Sequence, residues 1–270
     1  MTDEVLLEHR GATALVTLNR PHRLNAIAPE TSAAMADILR AAARDNSVHT
    51  IVLTGSGDRA FCAGADIKWM EENPEAGPAA WPHRQILSEI YPKPVIAAVR
   101  GYCLGGGLEL ALMADIIVAA SDASFGFPEL GSVGSYPADG GTFRAPRQLP
   151  YRIAMDLLLT GRRMPATEAL GRALINDVVA PEAVLPTALE KAERINAYPM
   201  VAVGLLKELV LKGLDRPLHE GGAVQPGAWA LFEDTEPRLR ASVDWQSRKA
   251  MSSQSNSVGK TSERIQKGSK

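Results

Sequence analysis

The chain has 270 residues, of which 46% are apolar and 22% charged, a balance typical of a folded globular protein. This composition excludes a largely disordered chain, and a net charge of −2 excludes the basic surplus expected of a nucleic-acid binder. Two cysteines are too few for a zinc quartet or a disulfide framework, and the longest apolar runs fall short of the about 20 residues that cross a membrane. Because the first ten residues carry no export signal, we expect a cytoplasmic protein with no metal, nucleic-acid or membrane partner.

The first 120 residues alternate strand and helix patterns. Two runs on either side of Gly11 predict a β-hairpin, and apolar residues at helical spacing predict a helix over 29–45. Further along, the pattern predicts buried strands at 50–54, 94–99 and 116–120, with helices at 81–91 and 106–113. Strands separated by helices indicate an α/β core with crossover connections.

The pattern changes after Leu149. Helical periodicity dominates from there to about residue 245, interrupted by one strand-like segment at 177–179. Residues 251–270 are rich in Ser, Thr and charged side chains and cannot bury enough apolar surface to offset the cost of ordering. The sequence therefore predicts an α/β core over 1–195, a helical region over 196–250 and a mobile polar tail over 251–270.

Residues 55–60 (GSGDRA) follow a predicted strand and fit the glycine pattern of dinucleotide-binding proteins. That fold needs a long helix to begin at once, so that the pyrophosphate lies at the helix N-terminus. Here residues 61–64 intervene and the helical stretch after them is short. The segment is therefore interpreted as a turn rather than a nucleotide site.

Two glycine-containing stretches follow predicted strands and precede helices. Residues 60–67 (AFCAGADI) have small side chains that let a ligand approach the backbone, and N–H groups at a helix start are free to donate. Residues 101–109 (GYCLGGGLE) open a helix and place Glu109 in its first turn among apolar neighbours. Poor hydration would raise the pKa of this carboxyl and suit it to proton transfer, whereas the alternative is a solvated acid favoured by the helix dipole.

A third stretch, 125–130 (FGFPEL), places Glu129 in an otherwise apolar loop, and 137–142 (PADGGT) then leads into another helix. Two backbone N–H sites of this kind can converge on one oxygen as an oxyanion hole, with the two glutamates beside the adjacent carbons. This arrangement is suited to stabilising a thioester enolate and to moving protons or water next to it.

Cys62 and Cys103 lie within the glycine-containing stretches, which makes a thiol nucleophile one interpretation. Each cysteine has apolar neighbours, and neither His22 nor His83 is an evident activating base. The sequence therefore favours two small buried hydrophobic residues.

Taken in order along residues 4–250, these motifs resemble the enoyl-CoA hydratase/isomerase (crotonase) family. The matching segments are NRP at 19–21, LNA at 24–26, FCAGAD at 61–66, GY at 101–102, GGG at 105–107, ELA at 109–111, PE at 128–129, GGT at 140–142, LTGR at 159–162 and EA at 168–169. The resemblance implies the spiral of ββα units shared by ClpP and crotonase, with a C-terminal helical region that forms a homotrimer or a dimer of trimers.

The resemblance also implies an acyl-CoA thioester substrate and no cofactor besides the CoA of that substrate. The N–H groups of Ala65 and Gly106 would bind the thioester carbonyl oxygen. Glu109 would activate water for attack at Cβ, and Glu129 would carry out the proton transfer at Cα. The implied CoA contacts are Ala63, Ala65, Asp66 and Ile67. His22 or Arg23 of the same chain would lie near the CoA phosphates, as would Lys249 of a neighbouring copy. The candidate acyl-pocket residues are Trp69, Met70, Phe127 and Tyr136, with core packing as the alternative for the last two.

Departures from the family pattern bear on the reaction rather than on the family. Ala138 stands where hydratases commonly carry glycine, and Asp139 aligns with an extra aspartate of the dienoyl-CoA isomerases. In addition, the loop after Glu129 is one residue longer than in typical hydratases, and Arg100 replaces the usual asparagine before Gly101. Both glutamates favour reversible hydration of a 2-enoyl-CoA to a 3-hydroxyacyl-CoA, because adding water takes two groups. The alternatives are an enoyl-CoA or dienoyl-CoA isomerase that uses Glu129, Asp139 or both, and an acyl-CoA-binding scaffold, whose signature would be the loss of one or both acids.

Overall fold

A computed structural model of the chain describes residues 3–87, 91–214 and 216–223. The chain divides into two compact units, the first ending at Tyr198 and the second beginning at Pro199. The predicted polar tail at 251–270 and most of the helical region predicted before it lie outside the described residues. In the described part of the chain, no helix combines the length and the hydropathy that crossing a bilayer requires.

All the strands described belong to the first unit. They are β1 (Val5–Arg10), β2 (Thr13–Leu18), β3 (Thr50–Gly55), β4 (Ala60–Cys62), β5 (Val95–Val99), β6 (Tyr102–Leu104), β7 (Ile116–Ala120), β8 (Ser124–Gly126), β9 (Met164–Pro165) and β10 (Asp177–Val179). A six-stranded sheet has the order β1-β2-β3-β5-β7-β10, and a four-stranded sheet has the order β4-β6-β8-β9. Neighbours are parallel except β1 with β2 and β8 with β9, so the predicted hairpin around Gly11 is confirmed.

The helices agree with the apolar pattern of the sequence, except that residues 129–132, which were predicted as part of a loop, form a short helix. In the first unit they are α1 (Pro29–Arg44), α2 (Ile67–Glu72), α3 (His83–Leu87), α4 (Gly106–Met113), α5 (Glu129–Ser132), α6 (Gly141–Gln148), α7 (Tyr151–Thr160), α8 (Ala166–Gly171) and α9 (Val184–Asn196). The second unit contains α10 (Met200–Gly213) and α11 (Leu218–Ala223). The helix predicted over 81–91 begins two residues later, at His83, and is described as far as Leu87.

The central strands of the six-stranded sheet, β2, β3, β5 and β7, are buried on both faces. Successive residues of a strand point to opposite faces, and in β5 Val95, Ala97 and Val99 join one apolar cluster while Ile96 and Ala98 join the other. The second cluster includes buried alanines of α9, which covers that face of the sheet. Burial on both faces explains why the central strands are continuous apolar runs rather than alternating ones.

The four-stranded sheet is a feature that the sequence pattern did not predict. Its strands have two or three residues each, too few for a period of two to be visible. In this sheet β4, β6 and β8 run parallel, with Cys62 opposite Cys103. Because the carboxyl ends of parallel strands lie at one edge, the sheet brings the segments that follow these three strands to the same place.

Candidate active site

A cavity of about 120 Å³ lies where β4, β6 and β8 end. The sequence-predicted site residues among those that line it are Ala63, Ala65, Ile67, Met70, Gly106, Glu109, Glu129, Tyr136 and Asp139. The structure therefore brings these residues, from three separate segments at 63–70, 106–109 and 129–139, around one space. Such a concave site with a few polar groups converging on it is the usual form of a small-molecule site.

Two glycines let the turns after β4 and β6 touch each other through their backbones. Gly64 has φ of +96° and Gly105 has φ of +54°, both in the region that favours glycine. A Cβ built on Gly64 would lie 3.0 Å from the Leu104 carbonyl oxygen and 3.3 Å from the Gly106 nitrogen. Any larger residue at position 64 would therefore push the two turns apart.

The N–H groups of Ala65 and Gly106 are unused at this contact. Ile27 and Ala65 form an isolated parallel bridge. Its two hydrogen bonds, each 2.8 Å long, run from the Ile27 N–H to the Gly64 carbonyl and from the Asp66 N–H to the Ile27 carbonyl, so neither uses the Ala65 N–H. Gly106 is the first residue of α4, where an N–H has no partner inside the helix. Within the described residues neither N–H donates a hydrogen bond, and both residues line the cavity.

Glu109, in the first turn of α4, is only 2% exposed. Its Oε1 accepts hydrogen bonds of 2.7 Å from the main-chain N–H groups of Asp139 and Gly141. Burial raises the pKa of this carboxyl to about 7, and the nearby charges of Asp139 and Glu129 also raise it, while the two N–H donors lower it. A carboxyl with this pKa can both take up and release a proton near neutral pH.

Glu129, the first residue of α5, is the second carboxyl at the cavity. Burial raises its pKa, and the charge of Asp139 raises it further. Among the described residues its buried Oε2 has no hydrogen-bond partner, which is costly unless a ligand or water supplies one. A Cβ on Gly105 would lie 3.0 Å from Glu129 Oε1, so the glycine turn also makes room for this carboxyl.

Asp139 differs from the two glutamates because its charge is paired. It is 8% exposed, with Oδ1 lying 2.6 Å from Arg84 Nε and Oδ2 lying 3.5 Å from His83 Nε2. Neither basic residue was predicted from the sequence as part of the site, although both line the cavity. They lie more than 50 residues before Asp139 in the chain, and no motif connects them to it.

The predicted CoA contacts occupy different places. Ala63, Ala65 and Ile67 line the cavity. Asp66 has structural contacts: its carboxylate caps α2 by accepting from the Trp69 N–H at 3.3 Å and pairs with Arg20 Nη2 at 2.9 Å. His22 and Arg23 lie in an exposed 3₁₀ turn and do not line the cavity, and Lys249 lies outside the described residues.

The four candidate acyl-pocket residues divide evenly. Met70 and Tyr136 line the cavity, whereas Trp69 and Phe127 do not. Trp69 packs edge-on against Trp81, with ring centroids 5.7 Å apart, and it is Trp81 that reaches the cavity. Phe127 is buried in the core, which is the packing alternative considered for it.

The chain is similar along most of its length to known proteins of one family. The family model for enoyl-CoA hydratase/isomerase matches residues 8–238. The chain is 37% identical to (E)-benzylidenesuccinyl-CoA hydratase of Thauera aromatica, over 87% of this chain and 92% of that protein. It is also 37% identical to short-chain-enoyl-CoA hydratase of Clostridium acetobutylicum, over 88% and 93%.

The solved structures show the same relationship. The crystal structure of enoyl-CoA hydratase from Bacillus anthracis matches with a TM-score of 0.87 at 31% identity, covering 91% of this chain and 97% of that one. The structure of an enoyl-CoA hydratase from Geobacillus kaustophilus matches with a TM-score of 0.83 at 37% identity, covering 91% and 95%. The chain therefore belongs to the enoyl-CoA hydratase/isomerase family, and the predicted family and crotonase fold are confirmed.

Proposed function

We propose that this protein adds water reversibly to the double bond of a 2-enoyl-CoA thioester and forms a 3-hydroxyacyl-CoA. The observation that carries the proposal is that a buried carboxyl, Glu109, and a half-buried one, Glu129, lie at one cavity beside two main-chain N–H groups that donate no hydrogen bond among the described residues. The names of the relatives support it, since short-chain-enoyl-CoA hydratase and crotonyl-CoA hydratase are both 37% identical to this chain. The reaction consumes one water molecule and takes its catalytic groups from the chain, so no further cofactor is proposed.

The N–H groups of Ala65 and Gly106 are proposed to hold the thioester carbonyl oxygen. Negative charge moves to this oxygen as water attacks Cβ, and donors that are already in place stabilise it without reorganising. Removing one such donor in other enzymes costs about 10²- to 10³-fold in kcat. The contact between the turns at Gly64 and Gly105 supports the assignment, because it keeps the two N–H groups near each other.

The two glutamates are proposed to divide the proton transfers. Two main-chain N–H groups hold Oε1 of Glu109, which leaves its Oε2 to take a proton from water as the hydroxyl group bonds to Cβ. Glu129 is proposed to supply the proton that bonds to Cα. A pKa of about 7 lets Glu109 act as a base in hydration and as an acid in the reverse reaction.

The pairing of Asp139 bears on the isomerase alternative. An acid that shuttles a proton along the substrate needs a carboxylate oxygen that can face the substrate. Both oxygens of Asp139 instead face basic side chains, with Oδ1 2.6 Å from Arg84 Nε and Oδ2 3.5 Å from His83 Nε2. Hydration by the two glutamates is therefore preferred to isomerisation through Asp139, and the presence of both acids also argues against a non-catalytic scaffold.

Three further proposals rest on the family resemblance and on composition. They are CoA phosphate contacts by His22, Arg23 and Lys249, assembly as a homotrimer or a dimer of trimers, and a cytoplasmic location. The mass of the protein in solution, expected at three or six times 28.9 kDa, tests the assembly.

The proposed reaction is tested by incubating the protein with 2-enoyl-, 3-enoyl- and 3-hydroxyacyl-CoA esters and following the products by mass spectrometry. Hydration adds the mass of one water, whereas isomerisation leaves the mass unchanged. Glu109→Gln and Glu129→Gln are each expected to lower kcat for a short-chain 2-enoyl-CoA by about 10²- to 10⁴-fold while CoA-ester binding survives.

Glu182→Gln is the matched control, because Glu182 is an exposed acid that does not line the cavity. Its kcat is expected to equal that of the unchanged protein. Hydration at a near-normal rate by both cavity variants would show that the glutamates do not have these roles.

A further inference from the structure

A line of polar side chains runs from the interior of α1 toward the Glu109 carboxyl. Ser32 of α1 is fully buried, and its Oγ lies 2.7 Å from His83 Nδ1 and accepts a 3.2 Å hydrogen bond from the His83 main-chain N–H. When Ser32 donates its hydroxyl hydrogen to Nδ1, the ring hydrogen lies on Nε2. His83 is 1% exposed, and its Nε2, which has no hydrogen-bond partner among the described residues, faces Asp139 Oδ2 at 3.5 Å.

Arg84, the next residue of α3, approaches the same carboxylate. Its Nε lies 2.6 Å from Asp139 Oδ1, although the angle falls short of a hydrogen bond, so the contact is an ion pair. The main-chain N–H of Asp139, together with that of Gly141, meanwhile holds Glu109 Oε1. Asp139 therefore contacts α3 through its side chain and Glu109 through its main chain.

We propose that Asp139 is a positioning residue for the hydration reaction: His83 and Arg84 anchor its side chain, and the anchored turn at 137–141 holds the Glu109 carboxyl at the cavity. The inference rests on the proposed function and adds residues to its site. The turn needs an anchor because residues 137–140 belong to no helix or strand and Gly140 adopts φ of +118°. If the turn moved, both N–H donors to Glu109 would move with it.

The negative charge of Asp139 also affects the pKa of Glu109. Besides Asp139 in the turn, the elements packed against α4 and this turn bring four charged or titratable side chains toward the region, namely Glu129, His83, Arg84 and Arg144, together with the buried thiols of Cys62 and Cys103. After burial, the charge of Asp139 is among the causes that raise the pKa of Glu109. Removing this charge while keeping the shape of the side chain is expected to lower the pKa of Glu109.

Asp139→Asn separates positioning from direct proton transfer. For a short-chain 2-enoyl-CoA we expect kcat to fall roughly 10-fold with KM within about twofold, since misplacing a reacting group costs rate more than binding. The acid limb of the kcat–pH profile should move to lower pH, because Glu109 then loses its proton more easily. A purely structural effect would lower kcat without moving this limb in that direction.

Two substitutions of His83 form a matched pair. His83→Gln puts an amide N–H₂ near the position of Nε2 and retains the contact with Asp139, whereas His83→Asn places its amide near Nδ1 and loses that contact. We expect His83→Asn to lower kcat roughly 10-fold and His83→Gln to stay within about threefold of the unchanged protein. Asp156→Asn, which removes an Asp–Arg pair that does not line the cavity, should leave kcat and the profile unchanged.

The titration of Glu109, followed by carbon-13 NMR in the free protein with Glu109→Gln for assignment, gives a readout that needs no turnover. A lower pKa in Asp139→Asn supports the proposal even if a His83 variant fails to fold. Unchanged kcat, profile and Glu109 titration in Asp139→Asn would overturn the proposal. If Asp139→Asn instead lowered kcat as much as Glu109→Gln does and removed one limb of the kcat–pH profile, Asp139 would be a proton-transfer group. If the unchanged protein hydrates no 2-enoyl-CoA, the proposed function fails, while the titration still tests the effect of Asp139 on Glu109.

Discussion

At the scale of single residues, the site depends on how closely two backbone turns approach each other. The N–H groups of Ala65 and Gly106 can hold one oxygen only if the turns after β4 and β6 stay in contact. Gly64 and Gly105 permit this contact, because a side chain at either position would meet the main chain of the other turn or the Glu129 carboxyl. The two glycines therefore determine the spacing of the proposed oxyanion donors.

Gly64→Ala is expected to lower kcat for a 2-enoyl-CoA by about 10²- to 10³-fold, the range measured for the loss of an oxyanion donor. The added Cβ would lie 3.0 Å from the Leu104 carbonyl at φ of +96°, so the turns must separate. Steady-state kinetics provides the measurement, and circular dichroism checks that the variant is folded. Gly131→Ala on α5 is the control, because a Cβ there meets nothing within 4 Å. Equal rates for the two variants would contradict the role given to Gly64.

At the scale of elements, one lysine before β5 holds the end of α1. Lys93 donates hydrogen bonds from Nζ to the carbonyls of Ala42 at 2.7 Å and Val48 at 2.6 Å, and also to that of Asp45. The last carbonyls of a helix have no partner inside the helix, so an external cation stabilises them. This contact fixes α1, which carries Ser32, relative to the six-stranded sheet.

Lys93→Met keeps the aliphatic stem and removes the donor, and it is expected to lower the free energy of unfolding by about 1–3 kcal/mol. Urea denaturation followed by circular dichroism measures this change. Arg44→Met, at an exposed basic residue in the last turn of the same helix, should change the free energy of unfolding by less than about 0.5 kcal/mol. A loss of similar size in both variants would mean that the effect comes from charge at the helix end rather than from the hydrogen bonds.

At the scale of the whole molecule, the buried carboxyl of Glu109 couples folding to pH. Its pKa is about 7 in the folded protein, above its ordinary value of 4.5, so between these values the folded state binds more protons than the unfolded state. Stability therefore falls as pH rises through this window, and the full penalty is present above pH 7. The shift corresponds to about 3 kcal/mol of unfolding free energy.

Glu109→Gln removes this ionisation and keeps an oxygen that can accept from the two N–H groups. The variant is therefore expected to be more stable than the unchanged protein at pH 8, with the difference disappearing toward pH 5. Urea denaturation at the two pH values measures the effect. Glu182→Gln should show no such pH dependence, and a Glu109→Gln variant less stable at pH 8 would contradict the argument.

The sequence alone determined the features that depend on local pattern. The hairpin, the buried central strands and α4 follow from local apolar patterns, and the order of the glycine and glutamate motifs was sufficient to indicate the family. The burial of Glu109 was also foreseen, because the leucines around it in the first turns of α4 leave it few directions toward water. Each of these inferences used residues that are close together in the chain.

The tertiary structure alone decided the features that depend on where distant segments meet. The strands of the small sheet are too short to show a pattern, yet their pairing places the glycine turns and Glu129 at one cavity. The same holds for Asp139, whose partners His83 and Arg84 lie on a helix more than 50 residues earlier. A residue's type and its neighbours in the chain carry no information about such contacts. Only the packing of elements from different parts of the chain determines which charges are paired and which carboxyls remain available for chemistry.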